Sequence, residues 1–305
     1  MIPFLALWFR RLIIWPLGAV LINMVMALRF IIPVHWSSAV IGGLVRFIGP
    51  WTPWHRRAQN NLRLVMPELT ASEVRNILMK MWWNIGRNAG EFAYLEHLAG
   101  QSLNHLNGDE ALDDIAKTGG FIISGHLGNW EMCCIPFIRR NLPFSIIYRP
   151  LNNPLAKNAL NKRLELADKT YTKGRESARG IIETARRKHI MIILVDQKLR
   201  EGMVVPFFGK GVTTPVSYIK AALNHDVPLI MMRIRRMRGC QFSVNLEKLD
   251  CQAIIAEHPN TDPVLAIATV INENLESWIR ETPEQWFWPH RRWPESKGEA
   301  PYELD

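Results

Sequence analysis

The sequence predicts an α/β fold: a mixed central sheet flanked by helices, behind an N-terminal membrane-associated helical element. Three observations predict it. Short apolar runs bounded by turn residues alternate with helical periodicity from residue 119 to residue 281. Residues 12–28, LIIWPLGAVLINMVMAL, carry no charge. The 305 residues suffice for one large core with an added element, and no low-complexity linker divides them. The expected organisation is an N-terminal anchor and helical element over 1–53, a main domain over 54–293 and a polar tail over 294–305, PESKGEAPYELD being polar enough to stay disordered.

Taking the elements in order, the 12–28 run lies between Arg10–Arg11 and Arg29. A spanning helix needs about 20 apolar residues, so three readings stay open: a membrane anchor, a helix lying in the membrane surface, or a buried core helix. From Trp54 to Leu98 the pattern is helical, and Thr70 with Glu73 forms a capping-box start. Strands are expected at 121–124, 144–148, 189–195, 203–208, 228–234 and 241–249. Helices are expected at 130–140, 154–169, 177–188 and 262–281, with another capped by Thr214 and carrying Pro215 at its first position.

Composition narrows the partners. The formal net charge of +9 favours anionic surfaces, and the absence of zinc-finger, basic-zipper or ribonucleoprotein motifs argues against nucleic acid. Of 12 tryptophans, Trp8, Trp15, Trp36, Trp51, Trp54, Trp286, Trp288 and Trp293 flank apolar or basic stretches, as interfacial tryptophans do. Cys133, Cys134, Cys240 and Cys251 contain no Cys-x-x-Cys pair and read as reduced core residues.

The segment GHLGNWE carries chemistry. It follows a buried strand, and sites in open α/β sheets lie at carboxyl ends of strands. It places His126 and Glu131 five residues apart, with Gly128 and Asn129 between them as candidates for substrate binding. An alcohol is a poor nucleophile unless a base removes its proton. Imidazole suits that role, its ordinary pKa of about 6.5 lying near neutrality. A carboxylate on the other ring nitrogen fixes the tautomer and stabilises the cation that forms. Spacing alone leaves a structural histidine equally open.

HLGNWE resembles the His-x-x-x-x-Glu motif of the bacterial lipid A biosynthesis late acyltransferases, the lauroyl/myristoyl transferase family. YRPLNNP (148–154), VDQ (195–197), VPFFGKGVTTP (205–215) and PEQWFWPHRRW (283–293) are similar to four further stretches of that family, in the same order. RRAQNNLRLVMPELT (56–70) and the N-terminal anchor fit as well. Val212 and Val195 depart from it, standing where small residues are expected, which bears on packing more than on chemistry. The resemblance implies acyl transfer from an acyl carrier protein thioester to the 3-hydroxyl of an acyl chain on a glucosamine disaccharide, a lipid A precursor. The expected place is the inner membrane surface, with the catalytic domain facing the cytoplasm. No metal or organic cofactor is implied. By the same resemblance His126 is the base and Glu131 its partner or a substrate ligand.

The remaining candidates keep two readings each. Arg149, Arg175 and Arg179, the last within an expected helix, suit phosphate recognition or surface ion pairs. Asp196 and Gln197, just past a buried strand, are functional or loop-fixing. Thr213, Thr214 and Pro215 contact substrate or cap a helix. Arg186, Arg187 and Lys188 receive the carrier protein or close a helix, and Arg291, Arg292 and Trp293 meet headgroups or clamp the structure. The rival functions are acyl transfer to another membrane lipid, non-catalytic lipid binding, and ester hydrolysis. Hydrolysis lacks support from a GxSxG element around Ser124.

Overall fold

The structure, a computed structural model, describes residues 10–101, 103–150, 153–156, 164–198, 202–295 and 298–303. Its strands are β1 (Leu103–Asn107), β2 (Gly120–Ser124), β3 (Phe144–Tyr148), β4 (Lys169–Thr172), β5 (Ile190–Leu194), β6 (Met203–Phe207), β7 (Lys210–Thr214), β8 (Leu229–Arg236) and β9 (Phe242–Lys248). Among the described residues seven of them form one sheet, ordered β1-β9-β8-β2-β5-β3-β4, while β6 and β7 form a separate antiparallel hairpin. All neighbours in the large sheet run parallel except β8 and β9.

The apolar runs explain the centre of this sheet. Strands β2 and β5 are covered on both faces, which requires near-continuous apolar sequence. Because side chains alternate, Phe121 and Ile123 join the core on one face and Ile122 joins that on the other. Val212 and Val195, the two departures noted above, are both fully buried in the first of these cores.

The helices are α1 (Trp15–Ala27), α2 (Val34–Ile48), α3 (Pro53–Val65), α4 (Ala71–Glu91), α5 (Leu95–Gln101), α6 (Asp109–Thr118), α7 (Ile135–Arg139), α8 (Arg175–Arg186), α9 (Ser217–His225), α10 (Cys251–Glu257) and α11 (Pro263–Glu281). The Thr70–Glu73 capping box is present, each residue's side chain accepting from the other's backbone N–H. Helix α4 meets α2 so closely that a Cβ at Gly86 or Gly90 would lie 2.6 Å from the carbonyl oxygens of Ile41 and Ser37. Only glycine permits that approach.

Several expectations need correction. Among the described residues no helix is long and apolar enough to cross a membrane. The run over 12–28 is a π-helical turn (Arg10–Ile14), α1 and a 3₁₀ turn (Leu28–Phe30). Of the three readings of this run, the buried core helix is the one overturned, since Leu17, Val20 and Met24 are more than half exposed. Thr214 ends β7 instead of capping a helix, and α9 starts at Ser217. The helix expected over 130–140 is a 3₁₀ turn (Trp130–Cys134) followed by α7. Of the helix expected over 154–169, residues 157–163 lie outside the described ones and its end is strand β4. The tail expected to be disordered pairs in part, Tyr302 bridging to Gly211. Trp286, Trp288 and Trp293 are core, not interfacial, and stack among themselves and Phe207. Trp36, Trp51 and Trp54 are exposed, whereas Trp8 lies outside the described residues. None of the four cysteines is in a disulfide.

Candidate active site

Strand register builds the site. Ser124 and Leu194 end the neighbouring parallel strands β2 and β5 and face each other. Two residues beyond each strand come His126 and Asp196, so adjacency in the sheet brings together residues 70 positions apart. The Val195 N–H donates to the Ser124 carbonyl at 3.0 Å and keeps the two chains paired past the strand ends.

Asp196 is fully buried and accepts three hydrogen bonds: from the His126 backbone N–H (2.7 Å), the His126 ring at Nδ1 (2.7 Å) and Trp286 Nε1 (2.8 Å). Burial alone would raise its pKa. The His126 ring charge and the hydrogen bonds from that ring and its backbone outweigh burial and hold the carboxyl well below the usual carboxylate range. With the proton on Nδ1, Nε2 carries the lone pair, and the Gln197 amide nitrogen donates to it at 2.9 Å.

Asp196 thus occupies the place expected for Glu131. Glu131 instead lies beyond Trp130 and lines an apolar cavity of about 520 Å³ between α1, α2 and α4, with Leu21, Val25, Ile41, Ile85 and Phe287. A second cavity of about 290 Å³ is lined by His126 and Gln197 together with Arg149, Lys173, Ser177 and Tyr218. Trp130 lines both cavities, its ring 5.2 Å from that of His126. The other expected site residues divide. Arg149 lines the second cavity, whereas Arg175 begins α8 exposed and is not part of its wall. Gly128 and Asn129 reach neither cavity. Gly128 adopts a φ of +56°, and a Cβ there would meet the Ile234 carbonyl oxygen at 2.8 Å. Asn129 is fully buried and bonds Glu91.

Arg292 is a clamp and not a headgroup ligand: fully buried, it donates to the Thr213 carbonyl (2.8 Å) and Thr214 Oγ1 (3.0 Å). Burial lowers its pKa to about 10, with Asp196 and Tyr218 opposing. Sequence reasoning did not single out Trp286, Lys173 or His290 for the site. Trp286 and His290 lie in PEQWFWPHRRW, the stretch that pointed to them. Among the described residues His126, Asp196 and His290 could hold a metal ion, their ligand atoms lying within 4.8 Å of one another. Both Asp196 oxygens already accept N–H donors, so a metal there would displace the pairing of His126.

The His290 ring sits edge-on to His126, with centroids 4.8 Å apart. Burial lowers its pKa to about 3. Repulsion from His126 whenever that ring is protonated adds to this, Asp196 opposes it, and Arg292 and Lys173 add further. The folded pKa lies below the ordinary 6.5, so the unfolded chain takes up the proton first as pH falls. The contribution of His290 to stability is therefore full above that ordinary value and declines toward about 3. Denaturant titrations at pH 7 and pH 5 are expected to show a smaller acid loss for His290→Phe than for the wild type, approaching one proton in slope. Equal slopes would contradict a His290 held neutral by the fold.

A histidine–carboxylate pair thus lies at the carboxyl end of a mainly parallel sheet in an α/β protein, set between a cationic cavity and an apolar one. The family model for bacterial lipid A biosynthesis acyltransferases matches residues 7–295, and the chain belongs to that family. It is also similar to the lipid A biosynthesis lauroyltransferase of Escherichia coli (strain K12), at 23% identity over 249 residues, covering 78% of this chain and 79% of that protein.

Proposed function

We propose that the protein transfers a fatty acyl group from an acyl carrier protein thioester to a hydroxyl of an acylated glucosamine disaccharide, the lipid A precursor. The observation that carries this reading is His126, bonded through Nδ1 to buried Asp196 and lining a cavity beside an apolar one. In the proposed step the acceptor hydroxyl replaces the Gln197 amide at Nε2. Nε2 takes the hydroxyl proton as the oxygen attacks the thioester carbonyl and the new C–O bond forms. The tetrahedral oxyanion collapses, the C–S bond breaks, and the imidazolium returns its proton to the departing thiolate. Asp196 keeps the ring oriented and stabilises the transient cation.

The apolar cavity suits an acyl chain, and Glu131 at its wall serves substrate placement instead of orienting His126. Arg149 and Lys173 suit a phosphate, which both the donor's prosthetic group and the acceptor's sugars would carry. We place the enzyme at the inner membrane surface with its catalytic domain toward the cytoplasm. The exposed apolar side chains of α1 and α2, among them Leu17, Val20, Val40 and Phe47, support that placement.

The test is incubation of purified protein with an acyl carrier protein thioester and the tetra-acylated disaccharide. The expected product is heavier by one acyl group. Free fatty acid without new ester would mean hydrolysis, and acylation of a different lipid alone would overturn the acceptor assignment.

A further inference from the structure

Behind the catalytic loop lies a buried ion pair that the proposed reaction does not use. Arg236, at the end of β8, is 7% exposed, and Glu91, at the end of α4, is fully buried. Arg236 Nη1 donates to Glu91 Oε1 at 2.6 Å and Nη2 to Glu91 Oε2 at 2.9 Å. The same guanidinium donates to Asn84 Oδ1 (2.7 Å) and Asn88 Oδ1 (2.5 Å). With their oxygens held, both asparagines aim their amide nitrogens at one acceptor, the Gly128 carbonyl, at 2.9 and 2.7 Å. Glu91 Oε2 takes a further bond from Asn129 Nδ2 at 2.8 Å.

We propose that Arg236 and Glu91 are positioning residues that set the geometry of the catalytic loop. They act on its backbone at Gly128 and its side chain at Asn129, between His126, the base, and Trp130, the wall shared by the two cavities. The clamp also reaches the N-terminal helices, because Ser38 of α2 donates to Glu91 Oε1 at 2.7 Å. Stability alone does not explain such a pair. An apolar pair of similar volume is often as stable as a buried ion pair, while breaking one partner leaves an uncompensated charge. What apolar residues cannot supply is the planar fork that directs two asparagines to a single carbonyl. A displacement of the loop by about 1 Å is enough to cost roughly 100-fold in rate.

This inference rests on the reading of His126 as base, and its test separates the two. The variant Glu91→Leu/Arg236→Met removes both charges of the pair and leaves Arg87, 3.9 Å from Glu91 and partly exposed, to solvent and its bond to Ser38. It is expected to fold and to lower kcat by about 10- to 100-fold, with KM for donor and acceptor little changed. Arg236→Lys, which keeps the charge but loses the fork, is expected not to restore the rate. Asn88→Ala removes its bond to Gly128 and the acceptor it offers Arg236 Nη2, while Glu91 still balances the guanidinium, and is expected to lower kcat in a protein that folds with a somewhat lower thermal midpoint. It decides the matter should the double variant not fold. In each folded variant the ring resonances of His126 are expected to move, a signal independent of any substrate. Wild-type kcat, or unmoved His126 resonances, in folded Asn88→Ala and the double variant overturns the positioning role. Absence of ester from the wild type itself sinks the functional reading, and the resonances still judge the clamp.

Discussion

Asp196→Asn is expected to lower kcat by roughly 10⁴-fold while leaving substrate binding largely intact, as loss of the orienting carboxylate does in other His–Asp sites. Three N–H groups converge on Asp196, one of them the His126 ring at Nδ1. An amide offers one acceptor oxygen and one NH₂ group. Turned with its NH₂ toward Nδ1, it makes Nδ1 the acceptor and moves the ring proton to Nε2, where the lone pair is needed. Turned the other way, it sets its NH₂ against the His126 backbone N–H and Trp286 Nε1 and still cannot balance the imidazolium. Steady-state ester formation by folded Asp196→Asn checks this. Glu131→Gln is expected to act differently, raising KM with kcat less affected, because Glu131 borders the apolar cavity whereas Asp196 holds His126 Nδ1.

His126→Ala is expected to abolish most turnover, a loss of about 10²- to 10⁴-fold from general-base catalysis alone. The side chain is 14% exposed and packs against Trp130 and His290 by ring edges, so its removal leaves the core of the sheet untouched. Asp196 then loses its ring partner but keeps the Trp286 and backbone donors. Binding of the acylated disaccharide should persist. Mass spectrometry of products, with vesicle binding measured in parallel, distinguishes lost chemistry from a lost fold. Wild-type turnover by the folded variant would show that His126 is not the base.

The elements legible in the sequence share a physical cause. Strands β2, β3, β5, β6, β8 and β9 are expected within two residues of their ends, because two-sided burial leaves near-continuous apolar runs in β2 and β5 and one-sided burial leaves apolar–polar alternation in β9. The missed strands lack that signature. LNHLN and KTYT are polar and short, and KGVTT resembled a capped helix start because Thr-Pro reads so locally. His126, Asp196 and Gln197 were all visible as candidates, but their pairing was not. Which carboxylate meets Nδ1 depends on β2 lying beside β5 in register, a non-local fact, so Glu131 stood in by nearness along the chain. Asn129 and Gly128, expected to touch substrate, are tied down by Glu91, Asn84 and Asn88 from a different element. Arg236 and Glu91 look like ordinary charges until folding places them together. Trp286, Trp288 and Trp293 look interfacial beside a basic stretch, and only the packed core shows otherwise.

The most direct measurement is the tautomer of His126, read from ¹⁵N ring shifts of histidine-labelled protein, with assignment by His126→Ala and comparison with Asp196→Asn and Glu131→Gln. The protonated nitrogen should be Nδ1 in the wild type and in Glu131→Gln, and this preference should be lost in Asp196→Asn. A wild-type ring protonated at Nε2, or one whose tautomer follows Glu131 instead of Asp196, would contradict the site as described.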